Sequence, residues 1–78
     1  MDYEKYKLVR NAFNDCYNGF YAKWSKKALT STLVDEDWTA ILNEVKEIAE
    51  KYEHSVCHSL VKNMLIDLCE ILEKDQKE

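Results

Sequence analysis

Apolar side chains return every three or four positions along three stretches of the chain, the spacing that lines one face of a helix. In the first stretch Tyr6, Val9, Phe13, Cys16, Tyr17, Phe20, Tyr21 and Trp24 fall within a sector of about 140° on an ideal helical wheel, centred near Phe13. The second carries Trp38, Ile41, Leu42, Val45, Ile48, Ala49 and Tyr52, and the third Cys57, Leu60, Val61, Met64, Leu65, Leu68, Ile71 and Leu72. Thr30, Ser31 and Thr32 separate the first two stretches, and Asp35-Glu36-Asp37 supplies the acidic first turn expected of a helix start. Asp35 is one cap for that helix; Thr32 with Asp35 is a competing capping box.

No Gly or Pro divides the second stretch from the third, so a single long helix has to be weighed. Continuing the same stripe would carry Asn63 and Asp67 into the core with Val56 and Leu60, and burying such groups unpaired costs about 2–7 kcal/mol each. A break near residues 53–55 restores the register. The pattern therefore predicts an all-α fold, a compact three-helix bundle with helices over about 2–28, 35–53 and 55–74 forming one domain over 1–78. Dimerisation through helix 1 is compatible with it.

Asp2 is placed to cap helix 1, and Lys26 and Lys27 suit its last turn. Asn18-Gly19 is a turn signal inside that helix, but the apolar phase runs unbroken from Phe13 to Trp24. Gly19 costs about 1 kcal/mol relative to alanine, which points to a bend or a close helix approach there. The three rods come to roughly 39, 27 and 30 Å, so helix 1 overhangs the others by up to about 10 Å. Leu8 and Ile66 are misfits, each pointing away from its own apolar stripe. Single exposed apolar residues are common, but Ile66, rimmed by Lys62, Asn63 and Glu70, is a candidate partner-binding residue at the centre of a small contact patch.

Composition narrows the class. Seventy-eight residues, 46% hydrophobic and 33% charged, describe a globular domain near the lower size limit for a single unstapled core, with disorder expected only over Lys74 to Glu78. No apolar run approaches the roughly 18 residues of a membrane span, and the polar, aromatic start lacks a signal-peptide pattern, so a cytoplasmic protein is expected. Cys16, Cys57 and Cys69 form an odd set on apolar faces, which reads as reduced core thiols. Charge is uneven: residues 1–28 hold six basic and three acidic side chains, residues 29–78 five and twelve. Opposed electrostatic faces follow.

Helix 1 holds seven of the nine aromatic residues, and tyrosine hydroxyls want water or a partner. Tyr3, Tyr6 and Tyr21, with Arg10 at the edge of the same face, are accordingly candidate partner-binding residues, alongside the alternative that they are plain core. Glu36, Asp37, Glu44, Glu47 and Glu50 read as a carboxylate stripe on the outer face of helix 2. Such a stripe is either a solvated surface or a nucleic-acid mimic aimed at a basic groove. His54, Cys57 and His58 form a weak alternative metal set that lacks a fourth ligand. Phosphate-cradling loops and helix-turn-helix spacing are absent, so neither catalysis, a cofactor nor direct nucleic-acid binding is expected. The expected function is a non-enzymatic protein-protein interaction module. Its small, acidic, helical character suits an inhibitor from a phage or mobile element, anti-CRISPR-like in kind, acting on a nucleic-acid-binding host protein. The alternatives are a small metal-binding or redox protein and a purely structural assembly subunit, homodimeric through helix 1.

Overall fold

The computed structural model describes residues 3–77 and the side chains of residues 3–74. Three helices follow one another, with no strand among the described residues. The first, α1, runs over residues 3–30 as α-helical Tyr3–Phe13, π-helical Asn14–Tyr21 and α-helical Ala22–Thr30. α2 spans Asp35–Lys51 and α3 spans His58–Lys77. The expected cap Asp2 lies outside the described residues.

The π stretch reshapes the core. Its hydrogen bonds skip five residues, as from the Ala22 N–H to the Tyr17 carbonyl, so each turn holds more than four residues. Side chains four apart then stay nearly in line, and Ala12, Cys16, Phe20 and Trp24 are all buried, three of them completely. The Phe13-centred stripe assumes an ideal α period throughout and is corrected here: Phe13 and Tyr17 are about half exposed, at 48% and 57%. Leu8, a misfit on that wheel, packs against the core because the core face is turned toward it. Gly19 makes no close helix approach. A Cβ there would meet only the Asn14 carbonyl at 3.7 Å, an ordinary contact.

α2 and α3 complete the core with Ile41 and Tyr52, then Cys57, Val61, Leu65 and Leu72, while Leu33 from the α1–α2 connection plugs one end. Leu42, Leu60 and Ile71, expected inside, are exposed. A third helix covers only part of each apolar face, and these residues lie beyond its reach. Helix boundaries shift for local reasons. α2 starts after Val34, whose N–H donates to the Asp37 carboxylate at 3.0 Å, so neither Asp35 nor Thr32 is the cap. It ends at Lys51 instead of 53, and α3 starts at His58 instead of 55. Between them the Ser55 N–H and hydroxyl both donate to the Tyr52 carbonyl, and the Ser55 hydroxyl accepts from the Cys57 N–H. The helix of α3 continues to Lys77, and Glu78 lies outside the described residues.

Three polar ties fix α2 antiparallel to α1. Lys27 bonds Asp37 at 2.5 Å; Lys23 and Trp24 both reach Glu44; and Lys51 and Tyr52 both reach Asp15, at 2.8 and 2.6 Å. About 18 Å of α1 therefore lies N-terminal to the last tie. The molecule measures 43 × 18 × 15 Å, its long axis set by α1. No described helix is long and apolar enough to cross a membrane.

Candidate functional site

The π stretch splits the wide apolar sector of α1 between two faces. One is the core line just described. The other carries Tyr3, Tyr6, Arg10, Phe13 and Tyr17, all exposed, at successive spacings of three, four, three and four residues. That alternation is the spacing of a helix seam that packs against another helix or into a groove. The seam is about 20 Å long. Its rings are organised: Tyr3 and Tyr6 stack with centroids 6.4 Å apart, Tyr17 and Tyr21 at 5.9 Å, and the Lys7 ammonium sits 5.0 Å over the Tyr3 ring. Tyr21 itself is half-buried against the core and belongs to the seam only as a support for Tyr17. The sequence pattern offers Tyr3, Tyr6 and Arg10 as candidates but assigns Phe13 and Tyr17 to the interior, because nothing in the residues marks where the helix period changes.

The carboxylate stripe of α2 is not a single outer face. Asp37 is buried and holds both Lys27 and the Val34 N–H, and Glu44 takes the Lys23 ammonium together with the Trp24 indole N–H. These two groups face α1. The Lys27 bond, then the Val34 N–H, keep the Asp37 carboxyl below the usual carboxylate range despite burial. Glu36, Glu47 and Glu50 remain on the exposed surface. Asp15, which the sequence reading passed over, is the third such group. Burial alone would raise its pKa, but the hydrogen bonds from Lys51 and Tyr52 and the Lys51 charge outweigh it and hold the carboxyl low. Burial and then Asp15 push the Tyr52 hydroxyl above its usual value of 10.0.

Ile66 lies where its spacing suggested, 48% exposed on α3. It lines two adjoining depressions of about 360 Å³ each between α2 and α3, which share Val45 and Leu65 on their floor. Together they make one groove running along α3 from His58 to Glu73, about 22 Å, with Leu42 and Trp38 at one end. Its lining is mainly apolar and its rim is acidic: Glu50, Glu53, Glu70 and Glu73 outnumber Lys46 and Lys62.

The alternative metal set is not brought together. The His54 side chain is 93% exposed and Cys57 is 1% exposed, and among the described residues no three His, Cys, Asp or Glu side chains are placed to share a metal. Burial, reinforced by the nearby Asp15 charge, pushes the Cys16 thiol up to about 11, and burial raises that of Cys69. Both thiols are held in the less nucleophilic, protonated form at neutral pH. No family of known proteins, no characterised protein and no solved structure matches the chain.

Proposed function

We propose that this protein is an interaction module that works by laying the aromatic seam of α1 into an apolar cleft of a partner protein. The observation that carries the reading is the seam itself: four aromatic rings and a guanidinium at helix-packing intervals, exposed on a folded domain whose own core they do not enter. Tyrosine and arginine are enriched among the anchors of protein interfaces, and aromatic residues, phenylalanine included, in their buried centres. Arg10 and Lys7 favour a cleft edged with carboxylates. The α2 stripe supports nucleic-acid mimicry less well, since two of its five carboxylates are tied to α1. By occupying such a cleft the module would act as an inhibitor of its partner, the role expected of a small helical protein of a phage or mobile element.

The test compares the wild-type chain with Tyr6→Ser/Phe13→Ser as bait for quantitative affinity capture, after confirming that both melt alike. Proteins recovered with the wild type and lost with the variant are the expected result. Recovery of the same proteins by both would overturn the proposal.

A further inference from the structure

We infer that a second copy of this chain is a partner for the seam: α1 of one molecule docks in the α2–α3 groove of another, giving a head-to-tail contact. The inference rests on the seam proposed above as a docking surface and adds its receptor. Three observations meet. The lengths agree, about 20 Å of seam against about 22 Å of groove. The chemistry agrees, since rings at alternating three- and four-residue spacing are the anchors by which a helix fills an apolar channel, here floored by Val45 and Leu65 and flanked by Ile66. The charges agree as well: Lys7 and Arg10 accompany the seam, and carboxylates dominate the rim of the groove.

The same charges disfavour the symmetric alternative. Two seams packed against each other, parallel or antiparallel about their midpoint, bring Arg10 against its own copy in an otherwise apolar contact, and like charges so placed repel. Seam and groove share no residue and are built from different helices, so one molecule offers both at once. Unless two molecules dock reciprocally or a ring closes, a contact of this type propagates.

Two variants test the assignment by complementation. Phe13→Lys disables the seam and leaves the groove; Ile66→Lys disables the groove and leaves the seam; both positions are about half exposed, so the fold is expected to persist. Sedimentation velocity from micromolar to millimolar concentration should show the wild type forming growing species and each variant associating at least tenfold more weakly. An equal mixture of the two variants should recover a complex of two chains and nothing larger. Strictly monomeric wild type at millimolar concentration would overturn the inference, and so would a mixture that stays monomeric. Undiminished association of Ile66→Lys alone would also overturn it, placing the contact seam to seam while leaving the proposed interaction surface intact. Should either variant unfold, Tyr17→Lys and Leu42→Lys probe the same two surfaces at exposed positions.

Discussion

Replacing Phe20 and Phe13 by alanine, one at a time, separates the two faces of α1 energetically. The residues are seven apart, so an uninterrupted α-helix would put them within about 20° of each other and make their losses similar. In the structure Phe20 is fully buried and Phe13 is 48% exposed. Truncating a fully buried phenylalanine costs about 3–5 kcal/mol, the sum of lost transfer energy and the cavity left behind. For Phe13 roughly half the burial is present and solvent fills the vacated space, so only about 1 kcal/mol is expected. A domain of this size has a total stability of about 4–12 kcal/mol, so Phe20→Ala removes a large share and Phe13→Ala little. Urea titration followed by far-ultraviolet circular dichroism, extrapolated linearly with a common slope, reads both values. Equal losses, or a larger one at Phe13, would refute the change of helical period on which the division of faces depends.

Other perturbations follow from the polar ties and the buried thiols. Glu44→Lys should destabilise the fold by about 1–2 kcal/mol, because it confronts Lys23 and strips the Trp24 indole of its acceptor. Glu47→Lys, at an exposed position, should stay within about 0.5 kcal/mol, and chemical denaturation distinguishes the two. The Cys16 thiol has a raised folded-state pKa, so its contribution is complete below 9.0 and is lost as pH rises toward about 11. Tyr52 adds a loss that begins near 10.0, and melting temperatures should fall across this range, less steeply in Cys16→Ala. Asp15 and Asp37 act oppositely: their folded-state values are depressed, so their stabilisation is present above 3.8 and disappears as pH drops below it. Under native conditions a thiol reagent should label Cys69 first, since it is only partly buried, with Cys16 and Cys57 reacting at the rate of unfolding.

Much of the bundle was legible because period 3.6 governs α2 and α3 almost throughout. Ile41, Val45, Tyr52, Val61, Leu65 and Leu72 all turn inward as their spacing requires. The break between these helices was legible too, from Asn63 and Asp67, whose positions forbid a continuous stripe. α1 was not, because the spacing of its apolar residues is compatible with two registers. Ala12 is too small to weigh in a hydrophobic pattern, yet it marks the buried line, and four-residue steps through Cys16, Phe20 and Trp24 become a straight row only where the turn widens. The acidic stripe misled for a related reason. A wheel shows Asp37 and Glu44 at the margin of the apolar face, and only the approach of Lys23, Lys27 and Trp24 turns that margin into an interhelical contact. Leu42 and Ile66 fit no intramolecular core because three helices leave the outer side of one pair uncovered.

Hydroxyl-radical footprinting of the dilute protein, read residue by residue by mass spectrometry, addresses the division of α1 most directly. Strong labelling of Tyr3, Tyr6, Phe13 and Tyr17 is expected beside protection of Phe20, Trp24 and Tyr52. Protection of Phe13 and Tyr17 in the monomer, at the level of Phe20, would contradict it.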